Sequence, residues 1–264
     1  MRSKIGIWLD GVLLAFQLLT TIPITKQIEW DDKRAKASVT AYPIVGLALG
    51  LLMAIQWFIF TEYISVSSIV MVSWILTFSI LFSGGLHLDG WADFHDAIFS
   101  RRSRERKLEI MKDPRVGTFG VLALLFVVGW RFIFILEIVR AAPSSSIFAV
   151  FVIYTLVRLI LGWQLLLGKF ARTEGMAAAL QAAKGKETLV LYSAWTLGIA
   201  VLVFFVNPSL LWLLLAASFF LVFWQKWVNV QLGGITGDTI GAGAEGGETF
   251  LWGIYWFLLL LDMV

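Results

Sequence analysis

Long unbroken apolar runs dominate the chain, with no strand-like alternation. Residues 188–225 carry no charged side chain. A spanning helix takes roughly 20 apolar residues, because the hydrocarbon core is about 30 Å thick. This run is too long for one crossing and right for two, joined at Asn207-Pro208 as a helical hairpin. The same window predicts spans over 39–60, 64–86, 117–139, 146–168, 189–206, 209–226 and 239–262. The expected fold class is all-α: a polytopic transmembrane helical bundle of about seven spans, forming one integral-membrane domain over residues 1–264. A further apolar stretch, 5–24, is interrupted by Asp10 and ends in Thr20-Thr21-Ile22-Pro23. It is compatible with a span, a re-entrant segment or an interfacial helix. No small-residue cleavage site of the secretory kind follows it, so it is expected to stay in the mature chain.

Composition agrees with the pattern. Hydrophobic residues make up 59% of the 264 and charged residues only 15%, and mean hydropathy is +0.84, which excludes a water-soluble domain. The chain has no cysteine, hence no disulfide framework and no thiolate metal site. Segments 25–38, 87–116, 169–188 and 226–238 hold sixteen of the twenty-one Lys and Arg residues. By the positive-inside rule these four segments face the cytoplasm of a cell membrane. Arg2 and Lys4 would lie outside if 5–24 crossed, so the charge pattern favours a first segment that does not. A net charge of +3 needs no nucleic-acid partner.

One polar stretch sits directly against a span: "GGLHLDGWADFHDAIFSRRSRERK", residues 84–107. If 88–100 continue as helix, Asp89, Asp93 and Asp96 fall at i, i+4 and i+7, on one face. Carboxylates so close repel unless a cation sits among them, and hard oxygen ligands of this kind suit Mg²⁺, which is usually shared with substrate phosphates. A solvated acidic loop is the bland alternative. His87 could accept a proton from a hydroxyl nucleophile, or be a hydrogen-bonded structural residue.

A second acidic strip, "LGGITGDTIGAGAEGGE" at 232–248, opens the last span. Asp238, Glu245 and Glu248, at i, i+7 and i+10, share a face, and ionised groups there are costly unless they line a polar cavity. The seven glycines, Gly233, Gly234 and Gly237 among them, fit close helix packing, a backbone approach to phosphate, or both. In the basic cluster most side chains anchor topology. Arg115 is the functional candidate, because "DPRVGTFG" is a Gly-rich turn where a guanidinium could grip a phosphate; Lys112 is a weaker one. Arg158 interrupts an apolar span and either pairs with an acidic strip or touches substrate. Arg131 and Glu137 lie six residues apart, so each seeks a partner elsewhere, and structural ion pairing is the expected role.

Two acidic strips, Mg²⁺ between them and basic groups at one membrane face point to phosphoryl or diphosphate transfer to an alcohol on an amphiphilic substrate. A metal-coupled transporter would gather its carboxylates near the midplane instead.

The residues "GGLHLDGWADFHDAIFSRRSRERKLEIMKDPRVGTFG" resemble the signature of the cobalamin synthase family, the adenosylcobinamide-GDP ribazoletransferases. "TIPI", "AYPIVGLALG", "ARTEGM" and "LGGITGDTIGA" follow in that family's order and spacing, so the likeness covers nearly the whole chain. It implies an Mg²⁺-dependent membrane enzyme of late cobalamin biosynthesis. Such an enzyme joins adenosylcobinamide-GDP to α-ribazole or its 5′-phosphate and releases GMP; separately, the sequence is compatible with a homo-oligomer. By that resemblance Asp89 and Asp93 are leading metal ligands, and Asp96 completes the site or acts as base. Asp238, Glu245 and Glu248 hold a second ion or the riboside, while Arg115 and Lys112 neutralise the leaving guanylate. Ala97 stands where the family usually has glycine, so the helix is expected to run on. The alternatives are a CDP-alcohol phosphotransferase, whose D-G-x-x-A-R pattern "DGWAD" only partly echoes, and a corrinoid transporter.

Overall fold

The computed structural model describes residues 4–264. The chain forms α1 (Lys4–Leu19), α2 (Asp32–Glu62), α3 (Ser68–Ser83), α4 (Leu86–Phe99), α5 (Arg104–Ile110), α6 (Thr118–Ala141), α7 (Ile147–Leu167), α8 (Met176–Ala179), α9 (Lys186–Val206), α10 (Leu211–Leu232) and α11 (Gly237–Leu260). Among the described residues there is no strand, only one isolated parallel bridge between Phe170 and Ile235. The architecture is an all-α polytopic bundle.

Among the described residues, five helical segments are long and apolar enough to cross a membrane: α2, α6, α7, α9, and α10 with the short turn at Pro208–Leu210 that precedes it. The bent pair α3 and α4 would raise the number to six only if it crossed as one span. The seven expected spans all correspond to helices, but two fall outside the five. α3 has only 16 residues, and α11 carries Asp238, Glu245 and Glu248 along its first half. The predicted hairpin turn is present, with the Asn207 side chain accepting from the Ser209 N–H at 3.2 Å. α1, also 16 residues long, is not among the crossing helices. Its buried Asp10 pairs with Lys26 at 2.9 Å and Arg34 at 3.1 Å, which ties α1 to the start of α2.

α7 is the central helix, buried along almost its whole length. Bilayer lipid is as apolar as leucine, so helices here associate through close packing and hydrogen bonds. α2 runs antiparallel to α7 through small residues: Gly46 sits against the Arg158 side chain and Gly50 against the Phe151 carbonyl. Further along the same seam the Tyr192 ring fills the notch at Gly162, and its hydroxyl donates to the Val39 carbonyl of α2 at 2.6 Å. The outer faces of α6 and α9 present Leu125, Phe126, Leu197 and Phe205, as lipid contact requires.

α4 breaks from this parallel arrangement. Gly84 (φ +68°) and Gly85 (φ +72°) are both left-handed, a conformation costing other residues roughly 1–2 kcal/mol each. The chain turns 88° there. α4 then lies across the starts of α6 and α11: Trp91 Nε1 donates to the Ala123 carbonyl at 3.0 Å, and His87 packs on Gly241. We therefore place α4 outside the crossing segments. The helix continues through Ala97 to Phe99, as the sequence at that position led us to expect.

Candidate active site

A cavity of about 270 Å³ opens at the end of the bundle where α4 and α11 meet. α4 contributes His87 and Asp89, and α11 contributes Gly237 and Asp238. The long connection after α7 contributes Arg172, Glu174 and Met176, and α1, α2 and α7 contribute Leu18, Leu19, Tyr42, Leu161 and Leu165.

The two acidic strips meet here. Thr236 caps α11: its Oγ1 accepts from the Thr239 N–H, and Thr239 Oγ1 accepts from the Thr236 N–H at 2.8 Å. That capping box aims the first turn of α11, with Asp238, at the cavity. Gly90 makes the approach possible, because it lies directly on the Asp238 backbone. Asp89 is exposed and Asp93, one turn further on, is half-buried. Burial, then the like charges of Asp89 and Asp238, push the Asp93 carboxyl up to about 7.

Other predicted residues go elsewhere. Asp96 faces the start of α6, its two oxygens accepting from the Gly117 N–H at 2.6 Å and the Gly120 N–H at 2.8 Å. An anion at a helix N-terminus is favoured by the dipole and by the unpaired donors there. Glu245 and Glu248 lie about two and nearly three turns beyond Asp238 and pair with buried Arg131 at 2.7 and 3.1 Å. Arg158 is buried beside these glutamates, lining the same small internal void. Glu137 pairs with Arg140 at 3.0 Å, so Arg131 and Glu137 do find separate partners. Lys112 and Arg115 are exposed on the loop before α6 and do not line the cavity. Arg115 is held by Asp113 at 2.7 Å, and its hydrogen bonds lower the Asp113 carboxyl to about 2.

The glycines divide by role. Gly233 (φ +79°) terminates α10, and Gly234 lets the chain pass against the Lys169 carbonyl beside the Phe170–Ile235 bridge. Gly237 has open space where a side chain would be and lines the cavity. His87 is buried but also lines it.

Arg172 and Glu174 were not singled out from the sequence. Arg172 donates through Nη2 to the Leu108 carbonyl, while its buried Nε has no hydrogen-bond partner among the described residues. The available signal was two opposite charges in "ARTEGM", next to a glycine that proves left-handed (Gly175, φ +98°).

The carboxylates lining the cavity are Asp89, Glu174 and Asp238, with Asp93 close to Asp89 and Asp238. Among the described residues no three His, Cys, Asp or Glu side chains are grouped tightly enough to form a metal cage by themselves. Such loose carboxylates fit Mg²⁺, which is commonly held by one or two carboxylates together with waters and substrate phosphates.

The chain matches the sequence profile of cobalamin-5-phosphate synthase over residues 11–256. It is 40% identical over 255 residues to the adenosylcobinamide-GDP ribazoletransferase of Halalkalibacterium halodurans, covering 96% of this chain and 97% of that one. A protein of the same name from a Geobacillus species is 38% identical, with 97% and 98% covered. Another from Clostridioides difficile is 32% identical, with 94% and 97% covered. No solved structure matches. Similarity extending through α1, both acidic helices and the connection carrying Arg172 shows that the chain belongs to the cobalamin-5-phosphate synthase family.

Proposed function

We propose that this protein transfers the adenosylcobinamide-phosphate group of adenosylcobinamide-GDP to α-ribazole or its 5′-phosphate, releasing GMP. The observation that carries this reading is one cavity shared by Asp89, Asp238 and Arg172, contributed by three separate parts of a family member. A ribose hydroxyl of the acceptor attacks the phosphorus bound to the cobinamide. The new P–O bond replaces the one to GMP, which leaves with the bridging oxygen, and the hydroxyl proton is lost to a base.

The residues present can serve each need of that reaction. The Arg172 guanidinium, which lines the cavity, can donate to a diphosphate oxygen, and the first turn of α11 offers backbone N–H groups to the same anion. Asp89, Asp93 and Asp238 would hold Mg²⁺, which when bound withdraws charge from the diphosphate as a Lewis acid. Asp96, Glu245 and Glu248 support this arrangement from outside the cavity by fixing α4 and α11 in place. The cavity opens at the bundle end holding the four basic segments, which supports a site facing the cytoplasm.

Purified protein in detergent, given adenosylcobinamide-GDP, α-ribazole 5′-phosphate and Mg²⁺, should release GMP and form the cobamide in equal amounts. GMP release without cobamide, or no turnover at all, would overturn the reading.

A further inference from the structure

The walls of the cavity differ in chemistry. Asp89, Asp238 and Arg172 come from α4, α11 and the connection after α7. The wall built by α1, α2 and α7 presents Leu18, Leu19, Leu161 and Leu165, with one polar group among them, the Tyr42 hydroxyl. Tyr42 is 4% exposed, and its hydroxyl makes no hydrogen bond to another described residue. That hydroxyl is not one of the sealed polar atoms that lack partners; it borders the open cavity, where an occupant can accept its hydrogen bond.

Volume narrows the occupant. About 270 Å³ lies just under the roughly 300–1,000 Å³ of ordinary small-ligand sites. That space suits a nucleoside and is far too small for a corrin ring with its side chains. Two nucleosides take part in the proposed reaction, and their bases differ. Guanine carries donors and acceptors around its edge, which a leucine-lined wall would leave unpaired at a cost of roughly 1–3 kcal/mol each. The base of α-ribazole is a dimethylated benzimidazole with apolar edges and a single free acceptor, the ring nitrogen not bonded to ribose.

We propose that the α1–α2–α7 wall is the lower-base subsite: the benzimidazole of α-ribazole lies on the leucines, and the Tyr42 hydroxyl donates a hydrogen bond to its free ring nitrogen. The ribose then extends toward Asp89 and Asp238, while the corrinoid stays at the mouth of the cavity. Met176, on the connection and half-exposed, covers the base and adapts to its outline, as an unbranched thioether can. Tyr42 and Met176 thereby set which bases are accepted. This inference rests on the transferase reading above.

The test is a split between the two substrates. With wild-type protein, formation of cobamide and GMP checks the transferase reading by itself. Tyr42→Phe should then raise the KM for α-ribazole by about tenfold, the loss of one hydrogen bond, and leave the KM for adenosylcobinamide-GDP within twofold. Ala178→Phe, which narrows the same cavity from a half-buried position, should weaken α-ribazole more than a riboside of unmethylated benzimidazole. In equilibrium dialysis without corrinoid, both variants should bind α-ribazole less tightly than wild type. A rise in the KM for adenosylcobinamide-GDP alone would assign the wall to guanine and overturn the proposal. Equal effects on both substrates, or no effect on either, would also overturn it.

Discussion

Gly90 of α4 rests on the backbone of Asp238 so closely that a Cβ at residue 90 would stand 2.7 Å from the Asp238 carbonyl oxygen and 2.9 Å from its Cα. Neither neighbour is the free end of a side chain. Gly90→Ala must therefore push α4 away from α11 and separate Asp89 from Asp238. Overpacking of this kind costs about 1–3 kcal/mol, which a bundle can survive. The expected result is an inserted, folded protein whose kcat falls at least about 100-fold, since a displacement near 1 Å has that effect on catalysis. Turnover measured beside a thermal-melt curve in detergent separates this from unfolding.

Asp89, Asp238 and Asp96 should divide into two groups. Asp89→Asn and Asp238→Asn should abolish turnover with little loss of thermal stability, because both carboxylates face the cavity. Asp96→Asn should instead lower the melting temperature, since it weakens the cap on α6, worth about 1 kcal/mol. Activity per folded molecule should fall less than in the other two variants. If Asp96→Asn melted like wild type and were inactive, Asp96 would belong with the reacting groups.

If Mg²⁺ binds as proposed, Asp93 should make its binding sensitive to pH. Its carboxyl is raised from 3.8 to about 7 by burial and by Asp89 and Asp238, so without a cation it is mostly protonated below 7. A cation must displace that proton. The apparent KM for Mg²⁺ should rise as pH falls from 8 to 6, approaching about tenfold per pH unit below 7. Stability follows the opposite course in the absence of cation. The folded chain holds a proton that the unfolded chain releases near 3.8, so stability declines as pH climbs from 3.8 toward 7. Added Mg²⁺ should oppose that decline in thermal melts, and Asp93→Asn should flatten both profiles.

The two candidate arginines should behave differently. Arg172→Met should raise the KM for adenosylcobinamide-GDP by tenfold or more, the scale of a lost charge-assisted hydrogen bond. Arg115→Ala should change turnover by no more than about threefold, because its guanidinium is exposed and engaged with Asp113. Initial rates for both variants decide the matter.

Removing Arg131 should be severe. Arg131→Met would leave Glu245 and Glu248 buried without their partner, which costs about 3–5 kcal/mol. The expected outcome is a large drop in melting temperature or in the amount of protein inserted, seen by fluorescence-detected size exclusion.

Much of this was legible in the sequence, because a bilayer makes helix position a matter of counting apolar residues. The hairpin at Asn207-Pro208 and the meeting of Asp89 with Asp238 follow from charge placement alone. What the spacing could not supply is depth. Asp238, Glu245 and Glu248 share a helix face, yet seven residues of rise put about 10 Å between the first two. The deeper glutamates meet Arg131 while Asp238 meets the cavity. Asp96 is likewise on the face of Asp89 but too far along α4 to share its surroundings, and the start of α6 takes it. Arg172 escaped notice because irregular chain has no periodicity, and its basic neighbours were already explained by topology.

The paired left-handed glycines at 84 and 85 do more than shorten α3. By turning the chain 88° they carry Asp89 and Asp93 across the start of α11 instead of onward along the axis of α3, so the place of these carboxylates is set by a hinge in the protein and not by how far a span reaches.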